Sequence, residues 1–307
     1  MSSRKLSRIT NIWSKVVKGE GGKIFSRIVI EATETFEPVI RNRNGGVLLK
    51  ADGVVPNMPE GSIEVNDGLV REVLLNQAGP GLTEVSVHLH HPAEWRMEVA
   101  EGIPFRTIIT LDRSFISELF QGRIIVIDPG HGGEDTGARG PVNLVEKNVV
   151  LPISLNLKEL FEQAGAQVIL TRSKDEKVSF KSRATVARDA GADLFIGVHT
   201  YSNSDSKVGG TAVLYANSCR ESLEAAVLVK EELVKKLKLA DRGFKERKKH
   251  YLLQGVPDIE VEVVTITNWV EEGLLRSPTI HKKAAEGIFN GVKNYFAAAA
   301  QRHEVLL

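Results

Sequence analysis

One cysteine, Cys219, stands in the 307 residues. It cannot form an intrachain disulfide or a cysteine-rich zinc knuckle, so any metal must be held by histidine and carboxylate. An excess of one charge is also missing. Lys and Arg number 40 against 39 Asp and Glu, a formal net charge of +1, which excludes the strong basic surplus of a dedicated nucleic-acid binder. A local basic stretch, RGFKERKKH at 242–250, is the main departure from that balance. No apolar run approaches the roughly 18–20 residues of a membrane span. The N-terminal stretch is basic but lacks a continuous apolar region and a small-residue cleavage site, so no classical signal peptide is read there. What is present is ordinary for a soluble globular protein: 42% hydrophobic and 26% charged residues, at a length suited to one large domain or two smaller ones.

Residues 1–23 are polar and basic with scattered Ile12, Trp13, Val16 and Val17. This predicts a loose or helical leader, with a surface-binding amphipathic helix as the alternative. Residues 24–112 read as β structure. In TEVSVHLHH, Thr83, Val85, Val87 and Leu89 face one way, and Glu84, Ser86, His88 and His90 the other. KIFSRIVIEA alternates as well, and NRNGG, ADG, NDG and AGPG supply turns. Many short strands without helices between them predict a small all-β sandwich domain. Residues 113–122 read as a linker.

From Arg123 to Leu307 strands and helices alternate. The first long helix carries Val149, Ile153, Leu157, Leu160, Phe161 and Ala164 at helical spacing, with Gly165 as its C-terminal stop. The last is expected from Pro278 to about Phe296. The pattern predicts an α/β domain, a mostly parallel sheet flanked by helices on both faces.

The stretch IIVIDPGHGGEDTGA at 124–138 places His131 in a glycine-rich turn at the tip of a buried strand. Such tips are where α/β sheets carry their chemistry. His199 ends a second buried strand, ADLFIGVHT. In a parallel sheet both tips lie on one edge, so the imidazoles can converge. A catalytic zinc takes three protein ligands and a water. The third ligand would be a His, an Asp or a Glu, and Glu146, just before the first long helix, is the best placed. Amide hydrolysis also needs a group that takes a proton from the water and delivers it to the leaving amine. Glu260 and Glu262 share a face of the strand IEVEVVTIT, and Glu262 is nearer its C-terminal end. Each residue also has a purely structural reading: a hydrogen-bonded loop histidine, a carboxylate at a helix N-terminus, the polar face of a strand.

Taken together, IVIDPGHGGEDTGA, LVEKNVVL, LKELFEQAGAQVILTR and ADLFIGVH resemble the zinc-dependent N-acetylmuramoyl-L-alanine amidases of bacterial cell walls, from about Arg123 to the final helix. The resemblance implies a zinc ion on His131, Glu146 and His199, and a catalytic Glu at Glu262 within PDIEVEVV, with Glu260 as its neighbour. Asn268 fits the family pattern, while HTYSN after the ligand histidine and Val263-Val264-Thr265 after Glu262 depart from it. The segment between His199 and Glu262 leaves no room for the inhibitory helix of some relatives, which implies a catalytic domain that is not autoinhibited. SRIVIEATETFEPVIR, EVLLNQAGPGLTEVSVHLHHPAEWRMEV and IPFRTIITL resemble an AMIN domain, a β sandwich that binds the cell wall. The HLHH at 88–91 fits a solvent face better than a second metal site.

The implied activity is hydrolysis of the amide between the lactyl group of N-acetylmuramic acid and L-alanine. The implied partner is peptidoglycan, with no nucleic acid and no membrane span, and the chain is expected to be a monomer. A wall-binding regulatory protein with a degenerate groove, and a zinc amidase or peptidase of another substrate, are the alternatives. Action on the wall is extracellular or periplasmic. With no signal peptide read, release by lysis (as in mother-cell lysis during sporulation), an unusual export route or a trimmed sequence would each account for action there.

Overall fold

The computed structural model describes residues 6–43, 45–216, 219–247, 253 and 255–305, with side chains as far as residue 302. It divides into two compact units, one ending at Ile116 and the other beginning at Ser117. Residues 1–5 of the expected leader and 248–250 of the basic stretch lie outside the described residues.

The first unit holds β1 (Ser7–Lys18), β2 (Ile24–Ala32), β3 (Pro38–Arg43), β4 (Gly46–Asp52), β5 (Val54–Pro56), β6 (Gly61–Glu64), β7 (Val70–Gly79), β8 (Leu82–Leu89), β9 (Trp95–Ala100) and β10 (Phe105–Asp112). They form two five-stranded sheets, ordered β5-β1-β2-β10-β9 and β3-β4-β8-β7-β6. On β8 the alternation holds: Thr83, Val85 and Val87 are fully buried and Leu89 nearly so. Burying each such Val or Leu is worth about 1.5–3 kcal/mol. Buried Arg113, just past β10, donates to Ser26 Oγ and to the Asp67 carbonyl, both at 2.9 Å.

The leader expected over residues 1–23 is corrected. Ser7–Lys18 is a strand, paired antiparallel along β2. The register shifts between Ile9 and Asn11, so Ile9 and Ile12 are both buried although three positions apart. A bulge adds one residue to a strand and breaks the period of two. A spacing of three imitates a helix, and this hid the strand.

The expected linker is largely α1 (Ser114–Phe120), in which Ile116, Leu119 and Phe120 are buried. The second unit continues with β11 (Ile124–Pro129), α2 (Glu146–Gln163), β12 (Gln167–Leu170), α3 (Phe180–Asp189), β13 (Leu194–Tyr201), β14 (Thr211–Ala216), α4 (Arg220–Leu237), β15 (Asp241–Arg247), β16 (Asp258–Thr265), α5 (Trp269–Leu275) and α6 (Pro278–Val305). The six strands are ordered β12-β11-β13-β16-β14-β15. Helices α2 and α4 both pack on α6, and the ring of Phe120 stacks on Phe289 at 5.5 Å and meets Phe296 edge-on at 5.6 Å, with Phe161 tilted against Phe289 at 5.3 Å. Ala184 and Ala187 of α3 join Val126 and Phe195 in a separate cluster.

The sheet is mixed, which bears out the mostly parallel expectation in part: four of its five strand pairings are parallel and one is antiparallel. β14 runs antiparallel to β16, and β15 follows β14. The reason lies in the connection. A parallel return needs a crossover of a dozen or more residues. Between β13 and β14 there are only residues 202–210, without a helix, so the chain turns back. β11, β12, β13 and β16 remain parallel, and their shared edge carries His131 and His199.

Candidate metal centre

β11 ends at Pro129, and His131 follows two residues later with φ +61°. A side chain in this left-handed region is uncommon and must be held there. Two buried arginines hold it. Arg172 donates to the Pro129 carbonyl at 2.9 Å and the Gly130 carbonyl at 2.7 Å. Arg183 donates to the carbonyls of Pro129 and His131, both at 2.7 Å, and pairs with Asp128 at 2.5 Å. Thr171 Oγ1 also donates to Asp128.

Glu146 opens α2 and is 3% exposed. One carboxylate oxygen accepts from Thr200 N at 2.7 Å and lies 3.1 Å from His199 Nδ1. The other accepts from Ala138 N at 2.9 Å and lies 3.1 Å from His131 Nε2. Burial opposes ionisation of Glu146, but the bonds from both histidines and Thr200 outweigh it and hold the carboxyl well below its usual range. In turn the Glu146 bond, against the opposing effect of burial, pushes the His131 imidazole up to about 9. For His199, burial lowers basicity, but the Glu146 bond together with the nearby charges of Glu260, Glu146 and Asp128 outweighs it and raises the imidazole above its ordinary value.

One nitrogen from each of His131 and His199 and one oxygen of Glu146 lie within 4.8 Å of one another. Zinc bonds of about 2.0–2.2 Å in a tetrahedron put ligand atoms roughly 3.4 Å apart. Each imidazole nitrogen lies 3.1 Å from one Glu146 oxygen, His131 Nε2 from Oε2 and His199 Nδ1 from Oε1, close to that spacing. The cradle is cut to the rings as well. A Cβ on Gly130 would stand 2.2 Å from His199 Cε1, and one on Gly137 would stand 2.6 Å from His131 Cδ2. Asp135 lies 3.0 Å from His131 Nδ1, which fixes the ring with Nε2 toward Glu146. Asp135, Arg172 and Arg183 were not singled out as functional from the sequence. The acid four residues after the histidine was the available signal for Asp135.

Glu262 is the in-register partner of His199 across β13 and β16. Its carboxylate meets Arg242 Nη2 at 2.5 Å, and burial, opposed by Arg242, raises it above its ordinary range. Glu260 lies on the same face, beside Gly197. It is paired with Arg247, which also holds Asp258 at 2.5 Å. A cavity of about 300 Å³ opens beside the histidines, lined by His131, His199, Gly197, Phe180, Arg247 and Glu260. Of the two glutamates, Glu260 lines this cavity and Glu262 stands next to it by register. His88 bonds Glu72 at 2.9 Å on the first unit and belongs to no metal-type group among the described residues.

The loops around the centre are tied to α5. Asn268 caps it, accepting from Val270 N and Glu271 N. Glu272 accepts from Val142 N at 2.7 Å and Leu144 N at 2.9 Å, fixing the loop that leads into Glu146. Glu271 accepts from Gly210 N and Thr265 N, fixing the start of β14 to the end of β16.

Residues 125–294 match the family described as N-acetylmuramoyl-L-alanine amidase. The chain belongs to this family. The match covers the α/β unit and leaves β1–β10 outside it. Among relatives, the "Probable cell wall amidase LytH" of Staphylococcus epidermidis is 32% identical over 193 residues, 62% of this chain and 64% of that protein. This chain thus spans a little under two thirds of that relative's length. The germination-specific N-acetylmuramoyl-L-alanine amidase of Bacillus subtilis is 30% identical over 191 residues, 57% of this chain and 80% of that protein. Among solved structures, the CwlD amidase of Clostridioides difficile, in complex with the GerS lipoprotein, superposes with a TM-score of 0.56 at 30% identity, covering 58% of this chain and all of that one. The amidase AmiC2 of Nostoc punctiforme gives 0.54 at 32% identity, covering 57% and 98%. The family's fold is thus that of the α/β unit. Among the described residues, no helix is long and apolar enough to cross a membrane.

Proposed function

We propose that this chain is a zinc-dependent N-acetylmuramoyl-L-alanine amidase. It cleaves the amide between the lactyl group of N-acetylmuramic acid and L-alanine in peptidoglycan, with His131, Glu146 and His199 holding the zinc and Glu262 carrying the proton. The observation behind this reading is the convergence of two imidazoles and one carboxylate within 4.8 Å at the strand tips of a family fold. Bound there, zinc supplies an acidified water and polarises the scissile carbonyl.

The chain's own groups do the rest. Glu146 stays ionised, held by Ala138 N and Thr200 N. Asp135 keeps the His131 proton on Nδ1, which leaves the Nε2 lone pair for the metal. Glu262 takes a proton from the attacking water and delivers it to the departing nitrogen of L-alanine. The cavity lined by Phe180, Arg247 and Glu260 receives the flanking part of the substrate. All three ligand residues are present, which favours the enzyme over a regulatory protein with a degenerate groove.

The same reading assigns the first unit, with its AMIN-like segments, to holding wall material without cleaving it. The chain acts on the wall, outside the membrane, as a monomer. Digestion of purified peptidoglycan with and without a chelator, followed by mass analysis, tests the activity. The expected products are stem peptides with a free L-alanine amine and glycan strands that keep their lactyl groups, formed only without the chelator. Cleavage inside the glycan or the stem peptide, or the same products with chelator present, would refute it.

A further inference from the structure

We propose that Tyr201 and Arg242 form a clamp that positions Glu262 for proton transfer. This rests on the reading of Glu262 as the proton carrier.

The geometry is specific. Arg242 Nη2 meets Glu262 Oε2 at 2.5 Å, and the two side chains are 10% and 13% exposed. The guanidinium carbon lies 3.5 Å from the centre of the Tyr201 ring. The ring is itself tied, its hydroxyl accepting from Asn203 Nδ2 at 3.0 Å. Arg242 starts from β15, and β14 lies between β15 and β16. The β14 residue in register with Glu262 is Ala212, fully buried. An alanine there leaves the lane over β14 open, so a long guanidinium can cross it.

The clamp joins the two candidate functions. Tyr201 is two residues beyond His199 on the same strand, and Glu262 is the register partner of His199. A planar cation pressed on an aromatic face has a fixed tilt, so its other edge presents a fixed donor to the carboxylate. Arg242 Nη1 is buried without a hydrogen-bond partner among the described residues. The guanidinium is therefore oriented by the ring and by Glu262, with little else competing. Tyr201 lies in HTYSN, where the sequence departs from the family pattern, so the clamp gives that departure a task.

The test is a set of variants assayed for kcat, KM and zinc content: Arg242→Met, Arg242→Lys, Tyr201→Phe and Tyr201→Leu, with Arg242→Met also made in a Glu262→Gln background. Removing a positioned base costs about 10²–10⁴-fold, and misplacing it costs a part of that. Arg242→Met is expected to lower kcat about 10- to 100-fold, to leave KM nearly unchanged and to keep one zinc per chain. Lysine should recover part of the loss. Tyr201→Phe keeps the ring face but loses the tie to Asn203, so it should lose less turnover than Tyr201→Leu, which removes the face itself. Groups acting through one another are not additive, so Arg242→Met should cost nothing more once Glu262 is Gln. A full further loss in that background overturns the clamp, as does parental turnover of Arg242→Met. So does a loss of zinc or of folding in Arg242→Met. Parental turnover of Glu262→Gln itself overturns the reading of Glu262 and the clamp with it, whereas the other three outcomes leave that reading standing.

Discussion

His199 and Glu262 are register partners on adjacent strands, β13 and β16, so their backbones stand about 4.8 Å apart. A candidate metal ligand and a candidate proton carrier are thus placed by the same ladder of hydrogen bonds. Gly197 and Glu260 form the equivalent pair two residues earlier.

This pairing separates the two glutamates by experiment. Glu262→Gln should retain zinc and lower kcat by about 10²–10⁴-fold, with a far smaller change in KM. Glu260→Gln, on the cavity wall, should chiefly alter KM. Steady-state kinetics on a soluble muropeptide distinguishes them. If Glu260→Gln is the inactive variant and Glu262→Gln is near normal, the carboxylate in the cavity is the proton carrier.

Gly130→Ala should empty the metal site without unfolding the chain. The new methyl would lie 2.2 Å from the His199 ring, which must swing away from Glu146. Zinc per chain should fall well below one while the far-ultraviolet dichroism stays that of the parent. Full zinc occupancy in this variant would show that the ring has another way to reach the metal.

Arg183→Leu should destabilise the α/β unit. It leaves the buried Asp128 carboxylate without its cation and the His131 carbonyl without a donor. Removing one partner of a buried pair costs about 3–5 kcal/mol. Urea unfolding followed by tryptophan fluorescence measures the loss, and a change under about 1 kcal/mol would class the pair with surface ion pairs.

Glu72 makes the stability of the first unit sensitive to acid. Bonds from Ser62, His88 and Arg71 lower its carboxyl from the ordinary 4.5 to about 2. The folded form therefore binds the proton more weakly than the unfolded form. Its stabilisation is complete above pH 4.5 and is lost as the pH falls toward 2. Glu72→Gln should flatten the fall in thermal midpoint over that interval while lowering the midpoint at neutral pH. Parallel curves for the parent and the variant would show that the bonds around Glu72 persist when it is protonated.

The amino-acid sequence by itself determined the β-rich first part, the α/β second part and the positions of His131, Glu146 and His199. Each of those three sits in a short local context: a buried strand running into glycine, the start of a long amphipathic helix, the end of another buried strand. Periodicity and turn chemistry act over a few residues, so they are legible in a line of text. The tertiary structure alone decided the rest. β1 was hidden because the bulge beside Ile9 broke its alternation. The reversed β14 followed from how far a nine-residue connection, 202–210, can carry the chain. The grip of Arg172 and Arg183 on the His131 turn joins residues more than 40 positions apart. The Arg242 partner of Glu262 depends on which strand lies beside which. Strand order and long-range pairing are set by how whole faces pack, and no local pattern along the chain encodes that.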